Sequence, residues 1–231
     1  MNANATIGWI VDCQEDFMDP AGRLYVHDLA DPRDPGAVRI VPSLEKAVGW
    51  MRDHAHVVVY TGDWHGYDDE EIDAEAPDPT RGTYPPHCMG RAPDPEERRG
   101  AEIIAPIRPA DPLILDLDAS EEDALRVART ALARHRPVFI HKNRFDVFEG
   151  NPATEAFLRA LADEVVRAPT IVVAGVARDV CVTGAIDGMQ ARGYDVVALS
   201  DATWGLGLED EETTLGRWRR KGRVITTAEL P

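Results

Sequence analysis

Four strand-like runs each end on a side chain that could do chemistry. The run 7–11 is followed by Asp12, 57–60 by Asp63 and His65, 137–141 by Lys142, and 171–174 by a turn carrying Cys181. An acid, an ammonium and a thiol form a coherent set. Asp12 can take the thiol proton and return it to a leaving group. Lys142 can hold negative charge near both. Cys181 can attack a carbonyl carbon. The peptide N–H groups of Ala177 and Cys181 could form an oxyanion hole. Asp179 reads as an N-cap that puts Cys181 in a first helical turn. Unpaired N–H groups and the helix dipole there would favour a thiolate. The bland alternative for Cys181 alone is a small buried hydrophobe.

Asp63 and His65 sit two apart, and His87 follows twenty-two residues after His65. One carboxylate and two imidazoles suit a divalent transition metal: Zn²⁺, with Fe²⁺ or Mn²⁺ as alternatives. Cys88 adjoins His87, and neighbours seldom both point inward. Residues 68–71 could supply an outer ligand but read better as a solvated acidic turn. His27, His54, His56, His135 and His141 read as surface or satisfied core residues. Cys13 should face away from Asp12 in extended chain and reads as a bystander.

The elements that must position these groups alternate. Strands at 7–11, 57–60, 112–117, 137–141, 171–174 and 195–199 interleave with helices at 38–53, 121–135, 154–161, after Cys181 and at 209–221. Residues 224–227 are a candidate edge strand. This order implies βαβ units and a mostly parallel sheet of six strands covered on both faces. Ligands of such sheets bind beyond the carboxyl ends of the strands, where the four groups converge. Two stretches break the rhythm: 19–36, rich in Pro, Asp and Gly, and 61–111, a long region without periodicity that reads as functional, metal-binding and lid-like. Residues 1–231 read as a single domain.

The 231 residues carry a net charge of −16, which disfavours nucleic acid and anionic membrane surfaces as partners. The basic cluster 217–221 reads as a solvated helix face. No apolar run approaches the ~18 residues of a membrane span. The opening Met1-Asn-Ala-Asn-Ala-Thr lacks the basic and apolar regions of a signal peptide. Three scattered cysteines imply a reducing, cytoplasmic compartment.

The motifs resemble a known family. Ile10-Val-Asp-Cys-Gln-Glu-Asp-Phe17 is similar to the opening motif of the isochorismatase-like cysteine hydrolases, and Val173-Ala-Gly-Val-Ala-Arg-Asp-Val-Cys-Val182 to their nucleophile motif. Thr61-Gly-Asp-Trp-His65 and Tyr84-Pro-Pro-His-Cys88 resemble the metal site of the nicotinamidase/pyrazinamidase branch. The resemblance implies a three-layer α/β/α Rossmann-like fold and a homodimer or homotetramer. It implies a catalytic trio of Asp12, Lys142 and Cys181, and metal ligands Asp63, His65 and His87 holding an ion that positions the substrate ring. It places Phe17 and Tyr84 around that ring, and it matches Val176-Ala177 to a non-proline cis peptide. The implied reaction is hydrolysis of a small carboxamide, nicotinamide first, through a Cys181 thioester. The alternative is a related cysteine hydrolase acting on another amide, carbamoyl or ureido substrate. Three departures lie near the pocket wall. Tyr84 replaces a tryptophan, 90–136 is long, and Lys142-Asn-Arg-Phe-Asp-Val-Phe148 replaces a Gly- and Tyr-rich stretch. A non-catalytic binding protein would be expected to lack one of the trio, and none is missing. A redox-sensing thiol would need Cys13 to reach Cys181.

Overall fold

In the computed structural model, residues 5–165 and 169–231 are described. The start of the N-terminal segment, residues 1–4, lies outside them. β1 (Thr6–Val11), β2 (Val57–Asp63), β3 (Leu113–Leu115), β4 (Val138–Lys142), β5 (Thr170–Val176), β6 (Asp195–Trp204) and β7 (Arg223–Ile225) form one sheet of order β3-β4-β2-β1-β5-β6-β7. All six pairings are parallel. The sheet has seven strands, not six, because the three-residue edge run β7 pairs with β6.

The central strands are buried along their length, as continuous β-branched runs require in a sheet covered on both faces. Alternation splits β1 between two cores. Ile7, Trp9 and Val11 join one apolar layer, with Ala124 and Ala128 of α4 (Glu121–Arg134), Phe157 and Leu161 of α6 (Ala153–Glu164), and Ile186 and Met189 of α7 (Thr183–Ala191). Ile10 joins the other, with Leu44, Val48 and Met51 of α2 (Val41–His54). α4 starts on a capping box, Ser120 with Asp123, and ends at His135 in a left-handed conformation. The helix expected at 38–53 opens as a 3₁₀ turn at Ala37–Ile40, and the one expected at 209–221 is shorter, α8 (Glu211–Arg219).

Residues 61–111 are less irregular than the sequence suggests. A helical turn, α3 (Pro95–Arg99), and two 3₁₀ turns lie within the stretch. Its far end pairs with the chain after β1: Glu15 N–H donates to the Glu102 carbonyl at 2.9 Å and Ile104 N–H to that of Cys13 at 3.0 Å. Ile103, Ile104 and Ile107 are buried in the α2-side core, so this apolar segment is core without periodicity.

β1 lies between β2 and β5, and the chain turns one way from β1 to β2 and later the other way to β5. That is a topological switch point, where a crevice opens at the carboxyl ends. Asp12 and Cys181 flank it. The strands close tightly there: a Cβ on Gly175, whose φ is +131°, would lie 2.0 Å from the Val11 carbonyl oxygen.

Candidate active site

Asp12 leaves β1 with φ of +50°, a left-handed conformation costly for a residue other than glycine. Its N–H still donates to the Thr61 carbonyl, 3.2 Å away. Its carboxylate is fully buried and held from two sides: Thr61 Oγ1 donates to Oδ1 at 2.7 Å, and Lys142 Nζ lies 2.9 Å from Oδ2. Lys142, the last residue of β4, is buried too. Its ammonium also donates to Asp63 Oδ1 and to the Arg144 carbonyl. One buried cation therefore ties two buried carboxylates together.

Burial pushes the Asp12 carboxyl above its ordinary value; Lys142 opposes the rise, and the nearby Asp63 charge adds to it. That makes Asp12 a stronger base. Burial also disfavours the ammonium of Lys142, but Asp12 and Asp63 outweigh it and raise the Lys142 pKa well above normal. Lys142 stays charged. The Cys181 thiol is pushed well up by burial, with Lys142 pulling the other way and Asp12 adding to the rise. The expected resting thiolate is thus corrected. Exclusion from water favours the thiol, whose reaction then calls for a base beside it.

The turn carrying Cys181 is also not the one expected. β5 runs through Val176 and the Val176–Ala177 peptide is cis, as the resemblance implied, but Arg178–Val182 form a π-helical turn in place of an N-capped first helical turn. The Ala177 carbonyl accepts N–H bonds from Val180 and Val182, both at 3.1 Å. Asp179 does not cap this helix. Its carboxylate accepts N–H bonds from Leu206 at 2.9 Å, Leu208 at 2.8 Å and Glu209 at 3.4 Å, fixing the loop after β6.

Asp63, His65 and His87 come together with one donor atom from each within 4.8 Å of the others, all buried. The Nε2 atoms of both imidazoles lie 3.9 Å from Asp63 Oδ2. Each ring uses its other nitrogen: His65 Nδ1 donates to Asp69 Oδ2 at 3.0 Å and His87 Nδ1 to the Pro85 carbonyl at 2.8 Å. Those bonds fix the tautomer that leaves Nε2 as a lone pair. His65 Nε2 is buried and has no hydrogen-bond partner among the described residues. Burial holds the His87 pKa down although Asp63 raises it, and burial opposes ionisation of Asp63 but loses to Lys142, His65 and His87. A carboxylate and two imidazoles aimed at one point could hold a divalent metal ion.

Several supporting residues escaped the sequence reading. Asp69, assigned to a solvated turn, is instead a half-buried residue whose carboxylate is the partner of His65 and of Arg91. Gln14, fully buried, accepts the Asp63 N–H at 2.8 Å and donates to the Asp63 carbonyl at 2.7 Å and to Ala101's at 2.9 Å. Its place two residues after Asp12, at the carboxyl end of β1, was the available signal. Cys88 Sγ points to the Gly100 carbonyl, at 3.8 Å, and is no ligand. Cys13 sits in the α2-side core while Cys181 borders the other, so the two are not a redox pair. His141 stacks on Trp64 with ring centroids 3.9 Å apart and pairs Nδ1 with Asp116 Oδ1 at 3.0 Å, but its buried Nε2 has no partner among the described residues, so it is a core histidine only half satisfied.

A cavity of about 370 Å³ opens above this floor. Asp63, His87, Ala177 and Cys181 reach it from below, and Phe17, Tyr84 and Phe145 form aromatic wall. The Phe17 ring lies 5.6 Å from that of His87, and Tyr84 packs edge-on to Phe145 at 5.5 Å. Phe17 and Tyr84 thus line the cavity beside the nucleophile candidate, and Phe145 joins them from the stretch after Lys142.

Residues 118–229 match the isochorismatase domain family. No curated protein sequence matches the chain. Among solved structures, the chain is similar in fold to the nicotinamidase/pyrazinamidase of Bacillus subtilis, at 19% identity and a TM-score of 0.66, over 96% of this chain and 99% of that one. It is similar to the N-carbamoylsarcosine amidase of Thermoplasma acidophilum, at 21% identity and a TM-score of 0.65, over 98% of each. It is also similar to the pyrazinamidase of Pyrococcus horikoshii in complex with zinc, at 24% identity and a TM-score of 0.63, over 96% of this chain and 98% of that one.

Proposed function

We propose, from the match of residues 118–229 to the isochorismatase domain family and from the isochorismatase-like hydrolase fold, that the protein is a cysteine amidohydrolase acting on a neutral carboxamide of the nicotinamide type. The observation that carries this reading is Cys181 on the lining of one apolar cavity, within the electrostatic reach of the buried Asp12–Lys142 pair. Asp12 takes the Cys181 proton as sulfur forms its bond to the amide carbon. The carbonyl π electrons move to oxygen, facing the Ala177 and Cys181 N–H groups. As the tetrahedral intermediate collapses, the C–N bond breaks and Asp12 protonates the departing ammonia. Water, giving its proton to Asp12, then attacks the thioester. The C–S bond breaks, the acid leaves, and sulfur takes the proton back. Lys142 stays protonated throughout and keeps Asp12 in place.

Asp63, His65 and His87 would hold one divalent transition metal, Zn²⁺ or alternatively Fe²⁺ or Mn²⁺. When bound, such an ion supplies an electrophilic contact for a ring nitrogen. The same reading includes a reducing, cytoplasmic setting, in keeping with three unpaired cysteines, and a homodimer or homotetramer.

The second reading, another amide, carbamoyl or ureido substrate, has less support where that substrate is an acid: among the described residues lining the cavity there is no lysine or arginine to pair with a carboxylate. Ammonia release from nicotinamide and pyrazinamide tests the proposal. Cys181→Ala should lower turnover by several orders of magnitude, because covalent catalysis has no substitute. Full activity in that variant would refute the mechanism.

A further inference from the structure

The cavity is larger and more apolar than a bare ring carboxamide requires. Its volume of about 370 Å³ lies in the range of pockets that enclose ligands of several rings or long substituents. The polar groups gather at the floor, and Leu24, Leu29, Leu206 and Leu208 line the rest. Leu29 and Leu208 are 60% and 66% exposed, the two most exposed large apolar side chains among the described residues. Both belong to this one mouth, and apolar groups clustered at a cavity mouth mark something that binds there.

These leucines sit on a fixed frame. Leu29 N–H donates to the Leu206 carbonyl at 3.0 Å. Asp179, two residues before Cys181, accepts the N–H groups of Leu206 and Leu208. The apolar mouth is therefore held in register with the nucleophile by one carboxylate.

Resting on the amidohydrolase reading, we infer that the preferred substrates are carboxamides whose acyl part carries an uncharged apolar extension beyond a single ring. The carboxamide reaches Cys181, and the extension lies along Leu24, Leu206, Leu29 and Leu208. Ammonia leaves from the floor while the bulky acyl group stays in the apolar part until water releases it. A second copy of the chain seated on the mouth would close it to extended substrates, and the test below would then show no preference for them.

The test compares ammonia release by the full-length, zinc-loaded enzyme from nicotinamide, from its isomeric ring-butylated derivatives, and from derivatives of equal length ending in a carboxylate. Each buried methylene is worth about fourfold in binding. The best butyl isomer is therefore expected to exceed nicotinamide in kcat/KM by at least about tenfold, and its carboxylate counterpart to lose that gain. The surface double variant Leu29→Asp/Leu208→Asp is expected to bring the butyl-to-nicotinamide ratio close to one. Turnover of nicotinamide with no gain from any butyl isomer overturns the inference and leaves the amidohydrolase reading standing. A ratio that survives the double variant also overturns it. No ammonia from any amide overturns both.

Discussion

Replacing Asp69 by asparagine isolates what a carboxylate behind a ligand contributes. Asp69 Oδ2 accepts the His65 Nδ1–H at 3.0 Å and the Gly66 N–H at 3.1 Å, and Oδ1 takes the Arg91 guanidinium at 2.5 Å. Its side chain is 8% exposed. Asparagine keeps one acceptor but turns an amide N–H₂ toward either His65 or Arg91, both donors. The charge that makes the imidazole a better ligand is lost, and the ring is held less firmly. Such partners are typically worth 10- to 100-fold in metal affinity, or about 1.4–2.7 kcal/mol. Asp68 is the control, with a side chain 79% exposed and only a 3.3 Å contact to the same arginine. Competition with a chromophoric zinc chelator, on stripped and reloaded protein, measures both. Asp69→Asn should weaken zinc binding 10- to 100-fold and Asp68→Asn less than about twofold. Equal affinities for the two variants would refute the assignment of His65 as a ligand oriented by Asp69.

Lys142→Met leaves two buried carboxylates uncompensated and should cost about 3–5 kcal/mol, a fall in melting temperature on the order of 10 °C by calorimetry. Adding Asp12→Asn should recover part of it. The Glu71 carboxyl is raised from 4.5 to about 7, chiefly by burial and then by the Asp63 charge. Its neutral form is favoured in the folded protein, so this stabilising contribution is complete below pH 4.5 and disappears as pH rises to about 7. In chelator-treated protein, denaturant titrations across that window should show the native chain losing stability relative to Glu71→Gln; parallel curves would contradict this. Asp179→Ala strands the N–H groups of Leu206, Leu208 and Glu209, and should cost about 1–3 kcal/mol in urea unfolding while raising KM more than it lowers kcat.

The residues that the structure gathers were legible where strand ends delivered them. Short β-branched runs identify β1, β2, β4 and β5, and parallel pairing brings their carboxyl ends to one edge whatever the loops do. Asp12, Asp63, Lys142 and Cys181 follow from that alone. Asp179 and Asp69 did not, because their partners are chosen by tertiary structure. A carboxylate before a helical pattern looks like a cap, yet Asp179 serves backbone 27 to 30 residues onward. Within the acidic run 68–71 nothing local separates exposed Asp68 from half-buried Asp69; His65 and Arg91 make the difference. The protonation state of Cys181 was misjudged for a related reason. Position in a turn is readable from sequence, whereas complete burial beside a second acid is not. The loop 61–111 hid its order because Ile103, Ile104 and Ile107 fill core without repeating.

The central claim is that Cys181 carries the acyl group of a carboxamide substrate. Rapid acid quench of the enzyme with nicotinamide, followed by intact and peptide mass spectrometry, reads this directly. The account predicts a transient nicotinoyl adduct on the peptide bearing Cys181, absent in Cys181→Ala and strongly reduced in Asp12→Asn, which lacks the base that must first take the thiol proton. Ammonia released with no adduct at Cys181, or with the adduct on Cys13 or Cys88, would contradict it.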